Sequence, residues 1–134
     1  MQIYPGPPCR TKFGITLTVE TNLKDIASAI SLHKKEEKYE INTSPRLVVI
    51  TDGPNSVILA QDHKVIEYPV PKIPQENFID TNGAGDAFAA GFIYGLVYDK
   101  TIEECVKIGC QMAGIIIGRS GCTFPERSGY DFLK

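Results

Sequence analysis

The 134-residue sequence predicts an α/β domain in which helices pack in layers on a sheet. Three observations predict this class. Apolar residues change from a period of two to a period near 3.6 between residues 13 and 30, a β-branched run fills residues 46–51, and two helix-forming segments follow residue 84. The expected order is strand, helix, three strands and two helices, in one domain with a core of its own.

The first strand and the first helix are predicted from the change of period near Asn22. In the strand, apolar side chains alternate with small or polar ones; they are Phe13, Ile15, Leu17 and Val19. In the helix, apolar side chains recur on one face; they are Leu23, Ile26, Ala27 and Ile30. Thr21 or Asn22 is the expected N-cap, because both residue types accept hydrogen bonds from the first helical amides.

The next three strands are predicted from apolar runs separated by turn residues. The run "RLVVIT" (46–51) is typical of a strand buried on both faces, as in a parallel sheet covered by helices. The turn "DGPN" (52–55) ends it. The segments "SVILA" and "KVIEYPV" predict two strands of a hairpin with a turn at Gln61-Asp62. Three prolines, Pro69, Pro71 and Pro74, are expected to keep the following segment extended.

Two helices are predicted in the last third of the chain. The first spans about 85–98, with Phe88, Phe92 and Leu96 on one side. Its small residues allow close packing; they are Ala87, Ala89, Ala90 and Gly91. Thr101 and Glu104 form the pattern of a capping box, which begins the second helix. That helix is nearly apolar in its second half and is expected to be buried there, before a loop over 118–130.

Composition excludes several function classes. The formal net charge of −2 and the pI near 5.7 give no electrostatic basis for binding nucleic acid or an anionic membrane. No apolar run reaches the ~20 residues of a membrane span. The N-terminus lacks the apolar core of a secretory signal, so we expect a cytoplasmic protein, with the nucleus as the alternative compartment. Four cysteines without paired metal spacing favour reduced, packed thiols over a zinc site.

The segment "IDTNGAGDAF" (79–88) carries the strongest chemical signal. Gly83-Ala84-Gly85 lies between an extended segment and the start of a helix, where unpaired amides and the helix dipole attract anions. Asp86 follows in the first turn and could accept a proton from a hydroxyl that attacks a bound phosphate. An ordinary turn followed by a helix-dipole aspartate explains the same spacing, and the spacing alone leaves both interpretations open.

A family resemblance favours the phosphate site. The string "DTNGAGDAFAAGFI" (80–93) resembles, without a gap, the C-terminal signature of the PfkB sugar and nucleoside kinases, which have a ribokinase-like fold. Within this family, "VVITDGPNSVILA" and "SGCTFPE" are most similar to the adenosine kinase branch. Ribokinases and fructokinases usually carry another residue at Asn82 and lack "GCTFPE". The resemblance covers roughly residues 20–128.

The resemblance implies an architecture and a domain organisation. It implies part of a three-layer α/β/α sandwich, truncated on its N-terminal side. Residues 1–19 are expected to be an unmatched N-terminal segment, and residues 20–134 to be the C-terminal part of the kinase domain. The sugar-binding segment and the lid of the family would lie upstream of this region.

The resemblance also implies site residues. Asp86 would be the catalytic base, and Gly83, Ala84 and Gly85 would form the anion hole. The residues expected near ATP are Thr51 and Gly53 at its phosphates, and Asn82, Cys122, Thr123 and Phe124 near its adenine. Asp80 would be either a carboxylate linked to a monovalent cation or a structural carboxylate.

Three functional hypotheses follow from the resemblance. The first is a monomeric adenosine kinase-like phosphotransferase that converts ATP and adenosine to ADP and AMP with Mg²⁺. The second is a nucleotide-binding fragment without turnover, because the Asn-x-x-Glu motif that organises magnesium in the family does not occur in the sequence. The third, a related sugar kinase, is disfavoured by Asn82 and "GCTFPE".

Overall fold

The structure, a computed structural model, describes residues 9–10, 16–17, 22–33 and 45–125. The chain divides into two compact units, Met1–Asp52 with Ser56–Glu67 and Gly53–Asn55 with Tyr68–Lys134. The strands are β1 (Cys9–Arg10), β2 (Thr16–Leu17), β3 (Val48–Thr51), β4 (Ser56–Gln61) and β5 (Lys64–Pro69). The helices are α1 (Leu23–Leu32), α2 (Ala84–Val97) and α3 (Ile102–Ile117), with a 3₁₀ turn at Gln75–Asn77.

This element order confirms the α/β class, and part of the first predicted strand lies outside the described residues. Of residues 13–19, only Thr16 and Leu17 are described, and they form β2, antiparallel to β1. In the described part of the chain, no helix is long and apolar enough to cross a membrane.

In the first unit, α1 packs on the sheet through one apolar face. Asn22 is the N-cap, and its side-chain oxygen accepts a hydrogen bond of 2.9 Å from the amide of Asp25. Ala27 is buried with Ile58 and Ala60 of β4. At the other end of α1, Arg46 donates a 2.9 Å hydrogen bond to the carbonyl of Ile30. A guanidinium is favourable there because carbonyl groups at a helix C-terminus lack internal partners.

The burial predicted for β3 is wrong. β3 is antiparallel to β4, with Val48 opposite Ala60 and Thr51 opposite Val57. Val48, Val49 and Ile50 are only half-buried, and the buried strand is β4. Among the described residues the strand order is β3-β4-β5, so β3 lies at an edge and β4 in the middle. A β-branched run does not distinguish these two positions.

The predicted hairpin is confirmed, with its turn one residue further along. β4 and β5 are neighbours joined by Asp62 and His63, whose φ angles are 47° and 64°. Two positive φ angles define the turn type whose twist matches that of an antiparallel hairpin. A salt bridge of 2.5 Å between Lys24 and Glu67 links α1 to β5 and lowers the pKa of Glu67, chiefly through the hydrogen bond from Lys24.

In the second unit, α2 and α3 approach closely at glycines. A Cβ on Gly91 would lie 2.9 Å from the carbonyl oxygen of Ile108, and one on Gly95 would lie 2.7 Å from the sulfur of Cys105. Phe88 and Phe92 are buried beside this contact, as predicted, whereas Leu96 is 40% exposed. The helix bounds agree with the prediction to within one residue. Beyond the end of α2, Asp99 has a φ of 53°, and the Lys100 amide donates a 3.0 Å hydrogen bond to the Gly95 carbonyl. This is a common way to close a helix C-terminus.

The capping box of α3 is confirmed. The Thr101 hydroxyl accepts a 3.3 Å hydrogen bond from the Glu104 amide, and the Glu104 carboxylate accepts one of 2.8 Å from the Thr101 amide. The Thr101 hydroxyl and amide hold the pKa of Glu104 below its usual value. The expected burial of the second half of α3 is only partly right: Ile116 is buried, but its neighbours are half-buried. The glycine contacts with α2 lie in the first half of α3 instead.

Candidate functional site

The segment before α2 is fixed to the end of α3. The amides of Ile79 and Asp80 both donate to the carbonyl of Ile117, over 3.0 and 3.1 Å. A tight turn follows, in which the Asn82 amide donates to the Asp80 carboxylate over 3.0 Å. Gly83 ends the turn with φ 80° and ψ 0°, which glycine adopts without strain. This backbone sets the direction in which α2 begins.

The N-terminus of α2 has open backbone donors. The Ala84 amide donates to the Thr81 carbonyl over 3.1 Å, so it belongs to the turn. Among the described residues, the amides of Gly83, Gly85 and Asp86 have no hydrogen-bond partner, and no side chain caps the helix. These three amides are called the cradle below. Ala84, which the resemblance implies for the anion hole, thus has its amide in a hydrogen bond of the turn.

The surroundings of the cradle leave room for an anion. A Cβ built on Gly85 would have no heavy atom within 4 Å, and both Gly85 and Asp86 are exposed. Unpaired amides and the positive end of the helix dipole attract negative charge at this position. Asp86 is the acidic residue of the first turn of α2, at the same helix end. The arrangement can hold a phosphate next to a proton acceptor.

Asp80 links the turn to the loop after α3. Its Oδ1 accepts the Asn82 amide, and its Oδ2 accepts the Asn82 side-chain amide over 3.2 Å and the Gly121 amide over 3.1 Å. These hydrogen bonds, that of the Asn82 backbone first, hold the pKa of Asp80 below its usual value against the opposing effect of desolvation. Sequence reasoning missed Gly121, since 41 positions separate it from Asp80.

The loop over 118–124, called the α3 loop below, turns back on itself beside the cradle. Gly121 has a φ of 69°, and its carbonyl accepts the Thr123 amide over 2.9 Å. The sulfur of Cys122 lies 2.6 Å from the position that a Cβ on Gly83 would occupy. The structure thus brings Asp80, Asn82 and Gly83 together with Cys122.

The remaining predicted site residues are described within their own elements. Thr51 is the exposed last residue of β3 in the first unit. Gly53 lies in the exposed turn after β3, with a φ of 52° and open space at its Cβ position. Thr123 accepts a 3.3 Å hydrogen bond from Nε of Arg119, a residue that sequence reasoning did not single out. Phe124 is 65% exposed.

Side chains that commonly bind metals do not cluster within the described ranges. In the parts of the chain that the structure describes, no group of three or more His, Cys, Asp or Glu side chains could hold a metal ion. Both carboxylate oxygens of Asp80 already accept hydrogen bonds from the protein. Of the two roles expected for Asp80, the geometry favours the structural one.

Comparisons with known proteins show which family the chain is similar to. Residues 15–128 match the model of the pfkB family of carbohydrate kinases. Adenosine kinase 1 of Arabidopsis thaliana is 51% identical over 107 residues, which are 80% of this chain and 31% of that protein. Adenosine kinase 2 of the same plant is 52% identical over 89 residues, 66% of this chain and 26% of that protein. This chain thus spans about a third or less of these relatives' length.

Solved structures of adenosine kinases also match the chain. Adenosine kinase from Schistosoma mansoni in complex with adenosine and AMP matches 84% of this chain and 32% of its own, with a TM-score of 0.68 and 32% identity. Anopheles gambiae adenosine kinase in complex with P1,P4-di(adenosine-5) tetraphosphate matches 75% of this chain and 29% of its own, with a TM-score of 0.64 and 39% identity. The chain belongs to the pfkB family of carbohydrate kinases.

Proposed function

We propose that this chain carries the phosphoryl-transfer site of an adenosine kinase-type enzyme, which converts ATP and adenosine to ADP and AMP. The observation that carries the proposal is the cradle: three amides at a helix N-terminus that have no partner among the described residues, in the same helical turn as the exposed residue Asp86. Relatives that are adenosine kinases support the choice of nucleoside. In this proposal, residues 20–134 are the C-terminal part of a kinase domain.

Asp86 is the proposed base. Its carboxylate accepts the proton of the ribose 5′-hydroxyl as the hydroxyl oxygen bonds to the γ-phosphorus and the bond from that phosphorus to ADP breaks. The cradle amides stabilise the negative charge on the transferred group. A carboxylate is a weak base. Phosphoryl transfer tolerates a weak base because its transition state is loose.

The nucleotide is proposed to lie across the cradle and the α3 loop, with its phosphates at the cradle. Cys122, Thr123 and Phe124 would face the adenine of ATP, while Thr51 and Gly53 would approach its phosphates. Asn82 is near the adenine in this proposal. Its side-chain nitrogen already donates to Asp80, so its oxygen and its second amide hydrogen remain for the nucleotide.

Further parts of the proposal rest on the family alone. Magnesium would enter with the ATP phosphates and water, since the described residues supply no ligand set. Formation of AMP from adenosine would make the reaction a step of purine salvage. A cytoplasmic monomer is the proposed state.

A second candidate is nucleotide binding without turnover. It is favoured by the chain's share of its relatives, 26% and 31% of their length, and by the absence of Asn-x-x-Glu from the sequence. Positioning of the acceptor supplies about 7–11 kcal/mol of a transfer reaction in favourable cases. A chain without an acceptor pocket would bind ATP and transfer nothing.

A turnover assay separates the candidates. ADP formation by the purified chain is measured with adenosine, ribose or fructose as acceptor, for the wild type, Asp86→Asn and Asp99→Asn. Asp99 is the matched control, a carboxylate at the opposite end of α2 in a conformation that asparagine tolerates. We expect adenosine-dependent turnover that falls about 100-fold or more in Asp86→Asn and stays unchanged in Asp99→Asn.

Three other outcomes contradict the proposal in different ways. ATP binding without turnover would support the second candidate. Equal turnover with ribose would indicate a sugar kinase. Full activity of Asp86→Asn would remove Asp86 from the mechanism.

A further inference from the structure

We propose that Asp80 is a positioning residue that holds the α3 loop against the cradle. The adenine and the phosphates of a nucleotide then bind to one preformed surface. This inference rests on the proposed function and deepens it. It assigns Asp80 a role in nucleotide recognition through other residues, without contact between Asp80 and the ligand.

The Asp80 carboxylate accepts hydrogen bonds from both the turn before α2 and the α3 loop. On the cradle side, its Oδ1 fixes the Asn82 amide one residue before Gly83. On the loop side, its Oδ2 accepts the Gly121 amide, one residue before Cys122. One carboxylate therefore sets the position of the residue next to the first cradle amide and of the residue next to the proposed adenine contacts.

The other hydrogen bonds of the α3 loop do not reach the turn over 80–83 in the described part of the chain. Two of its hydrogen bonds stay within the loop, from the Thr123 amide to Gly121 and from Arg119 to Thr123. The Arg119 amide bonds back to Ile116 at the end of α3. Among the described residues, the Gly121–Asp80 hydrogen bond is the one that joins the α3 loop to the turn over 80–83.

Cys122 of the α3 loop contacts Gly83. The Cys122 sulfur occupies the space that a side chain at Gly83 would need. The α3 loop therefore lies directly against the backbone of the cradle once Asp80 holds Gly121. If the Gly121 bond is lost, the loop and the cradle have no remaining hydrogen bond between them in the described structure.

Asparagine is an informative replacement for Asp80. It has the same shape but one oxygen, and its second position is a nitrogen that donates hydrogen bonds. It can accept the Asn82 amide or the Gly121 amide, but it turns a donor toward the other. Because the Asn82 amide is only two residues away, we expect Asp80→Asn to keep the turn and to release Gly121.

The test compares a ligand that needs both surfaces with one that needs the cradle alone. Affinities of the full chain for ATP and for inorganic tripolyphosphate are measured by calorimetry in the wild type, Asp80→Asn and Asp99→Asn. We expect ATP affinity to fall about tenfold in Asp80→Asn, the size of a lost charge-assisted hydrogen bond, and tripolyphosphate affinity to fall less than about threefold. Asp99→Asn should match the wild type for both ligands.

Equal losses for both ligands, or no loss for either, would overturn the inference, since a merely structural role would weaken the two alike. Wild-type protein that binds neither ligand would instead overturn the proposed function. Wild-type protein that binds both leaves the proposed function standing and tests Asp80 alone.

Hydrogen exchange gives a second readout, and its first measurement needs only the wild type. The Gly121 amide should be protected from exchange in the ligand-free wild type, because Asp80 accepts its hydrogen. Its protection should be lost in Asp80→Asn while that of the Val106 amide in α3 remains. Free exchange of the Gly121 amide in the wild type would overturn the inference.

Discussion

At the residue scale, two aspartates six positions apart have different surroundings. Asp80 accepts three hydrogen bonds from Asn82 and Gly121, whereas Asp86 is exposed at the start of α2. The local spacing allowed Asp86 to be a base or an ordinary helix-dipole residue, and the family resemblance favoured the base. The partners of Asp80 were harder to predict: the bond to Asn82 is a common short-range turn, but the bond to Gly121 depends on how α3 ends.

The lowered pKa of Asp80 predicts a pH-dependent contribution to stability. A carboxylate whose folded pKa is below its usual value of 3.8 stabilises the folded state above that value, and the contribution is lost as the pH falls through the folded pKa. The wild type should therefore be more stable than Asp80→Asn at pH 7, and the difference should shrink at pH 3. Urea unfolding midpoints of both proteins at the two pH values measure this.

The comparison with Asp80→Asn isolates one carboxylate. Glu67 and Glu104 also have lowered pKa values, so acid will destabilise both proteins. Only the gap between the two proteins reports on Asp80. A gap of the same size at pH 7 and pH 3 would show that the ionised Asp80 does not stabilise the fold.

At the element scale, features that depend on neighbouring residues could be predicted. Features that depend on distant segments could not. The N-cap Asn22 and the capping box of Thr101 and Glu104 were read from a few residues and are confirmed. The half-buried state of β3 and the exposure of Leu96 were missed, because burial depends on which element lies opposite. Periodicity identifies the apolar face of an element but not the element that packs against it.

The contact between α2 and α3 predicts a large effect of one methyl group. In Gly91→Ala, the new Cβ would lie 2.9 Å from the backbone oxygen of Ile108, which can give way only if the helices move apart. We expect the free energy of unfolding to fall by about 1–3 kcal/mol, the usual cost of overpacking. Chemical denaturation measures the change.

Gly85→Ala is the matched control on the same helix. Its Cβ would meet open space, so its stability should be unchanged or rise by up to about 1 kcal/mol, because alanine favours a helix. Equal stability of the two variants would mean that α2 and α3 do not approach at Gly91 as described.

At the scale of the whole molecule, the second unit brings together segments that are distant in sequence. The turn over 80–83, the start of α2 and the α3 loop meet around Gly83. The motif predicted the cradle, but not that the Ala84 amide would be used inside the turn. The resemblance to adenosine kinases is the basis for proposing the nucleoside and the catalytic base, which the spacing of residues alone left open. The chain covers about a third or less of its plant relatives, so its activity is the question that experiment must answer.

An NMR titration of the ¹⁵N-labelled chain with ATP tests most directly whether the cradle binds phosphate. The central claim is that the open amides of Gly83, Gly85 and Asp86 bind the nucleotide phosphates. We predict saturable chemical-shift changes at these three amides with ATP, and inorganic tripolyphosphate should shift the same three amides. Unchanged cradle amides at saturating ATP, or larger changes at an amide inside α3 such as that of Val106, would contradict the claim.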